Sequence, residues 1–437
     1  MPTLQPIDAR IGNGPQSSLG DTLPPGATEK EWFLEGEAER YRLDGEYALD
    51  GRWRAEPNGS AAYRTRLLAL RPAPGRSNGT VIVVWNNVSA GVDGVYAGPD
   101  LATTLADGFA VLGVSAQHVG IDGPAGLIAT DPERYGSLHH PGDDFSYDIF
   151  VQAARLAAAG DDQLLGGVDA RHVVAAGASQ SACRLATVHN ALHPIGIVDA
   201  YMLVVYAGNG TLIDTSTPAP GFAEVPDNTT VNILPFRTHR LRDDLDVPVL
   251  VVNSETEACL FTVNRQPDSD HLRIWESAGT SHVGLTTMEL PDMGNGAPCR
   301  GSFAPSIRAA YHHLQRWLDD GTLPPSQPRI QRAADGTAAR DEHGNALGGI
   351  RWPHVEAPLG VHRGEANAGP IDLMGATTPF DAAKVRALYD GRADYDARFA
   401  AAVAALVESG AMLPDDAASV RDTLAASAWD EDMTWRA

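Results

Sequence analysis

Lysine is almost absent: Lys30 and Lys384 are the only two, so nearly all of the 33 basic residues are arginines. Neither lysine stands in a Gly-Lys-Ser/Thr loop, which excludes a P-loop nucleotidase. Neither lies in an apolar stretch that would desolvate a Schiff-base amine. Cysteine is also scarce. Cys183, Cys259 and Cys299 form no C-x-x-C pair and are too few for a disulfide scaffold or a zinc ribbon. Free thiols are expected, with a Cys259–Cys299 bridge left open. No apolar run approaches the roughly 18 residues of a membrane-spanning helix. The Gly-, Pro- and Ser-rich first 28 residues lack the basic start and apolar core of a signal peptide. A cytoplasmic location is the default expectation, a trimmed secretory signal being left open. Net positive charge is lacking too: at −23 the chain is a poor partner for nucleic acid or an anionic membrane.

What is present is ordinary globular usage, 43% hydrophobic and 20% charged, enough for a sizeable core. Length alone would suggest about three domains of roughly 150 residues, but one decorated α/β sheet uses as much chain. Strands are predicted at Trp32–Leu43, Tyr63–Leu70, Thr80–Trp85, Phe109–Ser115, His172–Ala178, Ala200–Tyr206, Pro248–Asn253 and Leu272–Glu276. The last six are short and rich in Val, Ile, Leu or Ala, as strands buried on both faces should be. Helices are predicted at Asp144–Ala159, with Phe145, Ile149 and Leu156 on one side, at Ser181–Leu192 and at Ser306–Asp320. Alternating strands and helices imply right-handed βαβ units and a mostly parallel sheet. The first two strands follow each other directly and read as an antiparallel edge. The expected layout is a loose segment 1–28, an α/β core 29–320 and a C-terminal extension 321–437 packed on that core. Residues 207–247 form a long insertion inside the core, and loops of that length are often lids. The extension reads as a hairpin-like region around Asp335-Gly336 and His343–Gly349, then helices near Asp381–Tyr389 and Tyr395–Glu408.

The sharpest chemical signal is Gly177-Ala178-Ser179-Gln180-Ser181, a G-x-S-Q-S run between a predicted strand and a predicted helix. That context is what a nucleophile elbow requires, with small flanking residues so that strand and helix can pass. Serine needs a positioned base, and the base an orienting carboxylate. Downstream, one strand runs into Ser254-Glu255-Thr256-Glu257, and the next runs into Ser277–His282. Both candidates therefore follow carboxyl ends of strands, where open α/β sheets bind ligands. Among fourteen histidines His282 alone is so placed. Glu257 is favoured as the acid, with Glu255 as the alternative. Backbone amides of Gln180 and of Asn87 or Val88 are the candidate oxyanion donors. Trp85, Gln117 and His118 are candidate pocket residues. His139-His140 with Asp143-Asp144 is weak metal chemistry, because adjacent histidines point different ways, and Asp268, Asp270 and His271 read as a solvated turn. Gly294–Gly301 fails the dinucleotide pattern at Cys299. No cofactor and no metal are expected.

These stretches resemble the α/β-hydrolase superfamily of serine esterases, and more narrowly a bacterial group known simply as alpha/beta hydrolase domain proteins. The resemblance is carried by Tyr63–Arg66, Trp85–Gly91, Asp131–Gly136, Gly177–Leu185, Ser254–Glu257, Ala278–His282 and Gly348–Arg351. It implies an α/β-hydrolase fold and hydrolysis of a small-molecule carboxylic ester. The implied triad is Ser179, an acid within Ser254–Glu257, and His282. Aspartate is the more usual acid there, so Glu257 keeps the charge on a longer arm. The same triad would suit lactones, amides or acyl transfer to an alcohol, and a non-catalytic binding protein on the same scaffold is the alternative of another class. Oligomeric state is left open.

Overall fold

The computed structural model describes residues 2–16, 23–89, 91–96, 98, 100–193, 196–206, 208–214, 237–260, 265–283, 299, 301–365 and 373–428. Most of the expected lid-like insertion, residues 215–236, lies outside them. The chain divides into two compact units, Met1–Val249 and Leu250–Ala437.

In the first unit the strands are β1 (Thr3–Pro6), β2 (Thr28–Leu43), β3 (Ala55–Arg71), β4 (Thr80–Trp85), β5 (Ala110–Val114), β6 (His172–Ala178) and β7 (Ala200–Val204). Their order in the sheet is β1-β2-β3-β5-β4-β6-β7. β4 pairs in parallel with both β5 and β6, and β6 pairs in parallel with β7. β1, β2 and β3 form the expected antiparallel edge, lengthened by β1, which lies in the segment expected to be loose. Every residue of β4 (Thr-Val-Ile-Val-Val-Trp) is buried, because an uninterrupted apolar run leaves no face for water.

Helix α1 (Ser146–Ala158) packs against β2, β4 and β6. Its buried face is Ile149, Phe150, Ala153, Ala154 and Ala157, whereas Phe145 and Leu156, expected on that face, are half-buried. The alanines are the reason, since small side chains let the helix approach the sheet closely. Helix α2 (Gln180–Thr187) packs on β6 and β7, and is shorter than expected because residues 188–192 widen into a π turn.

The second unit contains β8 (Val249–Ser254) from its second residue on, β9 (Leu272–Ala278) and β10 (Ile350–Arg351), with β9 and β10 parallel. Helix α3 (Glu255–Leu260) follows β8 without a break. Helix α4 (Ala304–Asp320) buries Ile307, Ala310, Tyr311 and Leu314. In the last third, bridges Ile330↔Gly348, Arg332↔Ala338 and Arg340↔Ala346 build the hairpin-like region. Helices α5 (Ala382–Leu388), α6 (Arg392–Glu408) and α7 (Asp416–Ala428) follow. Cys183, Cys259 and Cys299 are buried free thiols.

Candidate active site

Ser179 is the hinge between β6 and α2, at φ 58° and ψ −121°. A non-glycine residue there is strained, and such strain persists only where its surroundings enforce it. Among the described residues only Val205, at φ 44°, shares a positive φ without being glycine. The two are neighbours across the sheet, since the Ser179 N–H donates to Val204 O at 2.9 Å. Gly177 is where the strand passes the helix. A Cβ there would come within 2.9 Å of the Ser181 carbonyl, so no larger residue fits. Ser181 is fully buried.

The loop after β4 is tied down by Asn87. Its N–H donates to Gly94 O at 2.8 Å, its Nδ2 donates to Ala178 O at 2.9 Å, and its Oδ1 accepts from the Ser89 N–H at 2.9 Å. The Asn87 amide is therefore committed, and Val88 is the remaining backbone candidate in this loop. Asn87 itself clamps the loop to the residue before Ser179.

Trp85 is a core residue: its ring stacks on Phe150 at 5.1 Å and none of it is exposed. Its indole N–H donates to Gln117 Oε1 at 3.0 Å, and Gln180 Nε2 donates to the same oxygen at 2.8 Å. An indole can only donate, which fixes the orientation of the Gln117 amide and then of Gln180. Gln117 thus braces the residue after Ser179. His118 is partly exposed, with its ring 3.4 Å from the Asp122 carboxylate.

The metal-like run has other partners. Asp143 pairs with the buried Arg184 of α2 at 2.9 Å and accepts the His118 N–H at 2.8 Å. The ring of His140 bonds Ala116 O at 2.9 Å and accepts from the Gly142 N–H at 3.2 Å, and burial lowers its pKa. Among the described residues no group of three or more His, Cys, Asp or Glu side chains could hold a metal.

Sequence reasoning missed a buried charge network under this loop. Arg66 pairs with Glu31 and with Asp93, both at 2.9 Å. Arg134 pairs with the same Glu31, and the Tyr135 hydroxyl donates to it at 2.7 Å. Asp93 in turn accepts from Asn86 Nδ2 at 3.0 Å. The N-terminal segment completes the network with backbone oxygens: Gln16 O accepts from Arg66 at 2.9 Å, Asp8 O from Arg134 at 2.8 Å, and Ile11 O from Arg134 at 3.0 Å. Two stretches that carry the family resemblance, Tyr63–Arg66 and Asp131–Gly136, supply both arginines; that was the signal available.

In the second unit, His282 Nδ1 lies 2.6 Å from Glu257 Oε1. The other oxygen of Glu257 accepts the Ser254 N–H at 2.9 Å and the Ser254 hydroxyl at 2.6 Å. Burial works to raise the Glu257 pKa, but the His282 charge and the hydrogen bonds from His282 and Ser254 outweigh it. The group sits below its ordinary value. A carboxylate only accepts, so in the neutral ring of His282 the proton is on Nδ1 and Nε2 is the unprotonated nitrogen. Glu255, the alternative acid, is turned away from this pair. Its Oε2 accepts the Gly279 N–H at 2.7 Å, while its Oε1 accepts from Arg340 at 2.6 Å and from the Gly364 N–H at 3.1 Å. Burial raises its pKa against the pull of Arg340.

A parallel sheet with flanking helices, a strained serine at a strand-to-helix turn and a histidine–carboxylate pair on later loops make up the α/β-hydrolase fold. Residues 3–422 match the family model described as "Alpha/beta hydrolase domain", and the chain belongs to that family. No curated protein matches its sequence. Among solved structures it is similar to esterase Est22, at 12% identity and a TM-score of 0.28, over 53% of this chain and 65% of that one. It is similar to a bacterial heroin esterase at 16% identity and a TM-score of 0.26, over 54% and 68%. A cold-adapted esterase from an Arctic intertidal metagenomic library, in a zinc-bound structure, gives 12% identity and a TM-score of 0.23, over 53% and 72%. The chain thus covers less than two thirds of Est22, and at these TM-scores the likenesses carry no argument about activity.

Proposed function

We propose that this protein is a serine hydrolase of small-molecule carboxylic esters, with Ser179 as nucleophile, His282 as base and Glu257 as its orienting acid. The observation that carries the reading is the backbone of Ser179, held at φ 58° between strand and helix. Such strain has a cost of order 1–3 kcal/mol and an ordinary turn serine has no use for it. The His282–Glu257 pair supports it by supplying a histidine whose Nδ1 is held by a carboxylate at 2.6 Å.

In this reading Ser179 Oγ attacks the ester carbonyl as His282 Nε2 takes its proton. The backbone N–H groups of Gln180 and Val88 receive the oxyanion, each such donor being worth about 10²–10³ in rate. His282 then protonates the leaving alcohol. Water, deprotonated by the same nitrogen, releases the acid and restores Ser179.

The test is covalent labelling with a fluorophosphonate, with the adduct located by peptide mass spectrometry, beside turnover of p-nitrophenyl acetate. Labelling should fall on Ser179, vanish in Ser179→Ala and weaken in His282→Ala. Ester turnover should drop about 10⁶-fold in Ser179→Ala. Folded protein that neither labels nor hydrolyses short aryl esters would overturn the reading.

A further inference from the structure

The acid-bearing and histidine-bearing loops of the second unit are joined through residues of the last third of the chain. Glu255 is wholly buried and lies two residues before Glu257. Its carboxylate bonds the Gly279 N–H on one oxygen and both Arg340 and the Gly364 N–H on the other. Its own N–H donates to Thr280 O at 3.2 Å. Next to it, the Thr256 hydroxyl donates to Gly364 O at 2.6 Å and accepts the His282 N–H at 3.0 Å. Gly364 allows this convergence: a Cβ there would lie 2.3 Å from Thr280 O and 2.7 Å from Thr256 N. Arg340 also holds Glu365 at 2.6 Å, which pins residues 364–365 against the same loops. On the far side, the ring of His354 bonds Gly279 O at 2.9 Å.

A buried carboxylate with no counter-charge is costly, and Arg340 supplies that counter-charge to Glu255 at 2.6 Å. The geometry points to Arg340 as a positioning residue for the His282–Glu257 pair, acting through Glu255. Arg340 neutralises Glu255, Glu255 fixes the Gly279 turn, and the turn fixes where His282 meets Glu257. This inference rests on the reading of that pair as the base of a hydrolase, and the test separates the two.

The test uses full-length enzyme and p-nitrophenyl acetate, with the variants Arg340→Gln, Arg340→Lys, Glu255→Gln and the double variant Arg340→Gln/Glu255→Gln. For each, kcat and KM are measured across pH, with fluorophosphonate titration counting intact sites. Arg340→Gln should lower kcat by about 10–100-fold, with KM moved by less than about threefold, as expected for lost alignment rather than lost binding. Where Glu255 stays ionised without Arg340, its charge favours protonated His282 and moves the acid limb of the rate profile up, until burial draws a proton to Glu255 as the pH falls. Glu255→Gln leaves Arg340 with Glu365 as its remaining carboxylate partner, adds one net positive charge at these loops and moves that limb down. The double variant should return towards the wild-type limb and recover more kcat than Arg340→Gln alone, and Arg340→Lys should recover most of it. If the titrated sites of Arg340→Gln turn over at wild-type kcat with an unmoved limb, Arg340 is only a fold-stabilising residue and the inference fails. Should Arg340→Gln not fold, Glu255→Gln decides: titrated sites that turn over at wild-type kcat with an unmoved limb overturn the inference. A wild-type enzyme that does not label at all overturns the hydrolase reading instead.

Discussion

At the scale of single residues, the two glutamates of the Ser254–Glu257 run show how burial divides one chemistry into two roles. Glu257 has one oxygen on His282 and the other on two donors of Ser254. The Ser254 N–H can only donate. In Glu257→Gln the amide oxygen must therefore turn to Ser254, and the amide NH₂ must turn to His282 Nδ1. That forces the imidazole proton onto Nε2, where it blocks the base. Glu257→Gln should consequently be at least as damaging as Glu257→Ala, with kcat down by about 10⁴-fold, the scale set by wrong-tautomer substitutions in other triads. Single-turnover hydrolysis of an aryl ester checks this. A glutamine variant that keeps a tenth of the wild-type rate would mean that Ser254 does not dictate the orientation.

At the scale of elements, the N-terminal arm holds the loop that follows β4. Backbone oxygens of Asp8, Ile11 and Gln16 cap two buried arginines, and Glu31 of β2 bridges them. Glu31→Gln leaves Arg66 and Arg134 short of counter-charge and should cost about 3–5 kcal/mol in urea denaturation; a loss below 1 kcal/mol would remove the network from the stability account. This is also where legibility in the sequence divides. β4 and β6 have the bounds their apolar runs predict, because a strand buried on both faces announces itself residue by residue. The elbow at Ser179 and the strand-end positions of Glu257 and His282 were legible for the same reason: their flanking strands were. β1 was not. It is a four-residue edge strand, largely exposed, and a pattern of burial cannot reveal what is not buried. The capping of Arg66 and Arg134 uses backbone oxygens, which every residue carries, so composition holds no trace of it. Arg340 and Gly364 escaped notice because their partner, Glu255, lies 85 and 109 positions away.

At the scale of the molecule, the buried histidines make acid the natural solvent stress. Burial lowers the pKa of His189, His239 and His354 to about 4 each, and lowers those of His140, His193 and His313 as well. In the unfolded chain the same groups take up protons near pH 6.5. Between about pH 6.5 and 4.5 the unfolded state therefore binds more protons than the folded one, and stability must fall as the pH falls. Carboxylates such as Glu257, held below their ordinary value, add their own loss below about pH 4.5, whereas Glu255, raised by burial, takes up its proton earlier in the folded state and offsets part of the histidine loss. Each proton taken up on unfolding contributes a slope of about 1.4 kcal/mol per pH unit. Urea denaturation at pH 7.5, 6.5, 5.5 and 5.0 should show the shallowest slope in the first step and a steeper loss per pH unit in the next two. His189→Gln, which removes one of these groups, should make the lower part shallower by about one proton. Stability that stays flat from pH 7 to 5 would show that these rings charge in place, and the interior would then be wetter around them than their burial implies.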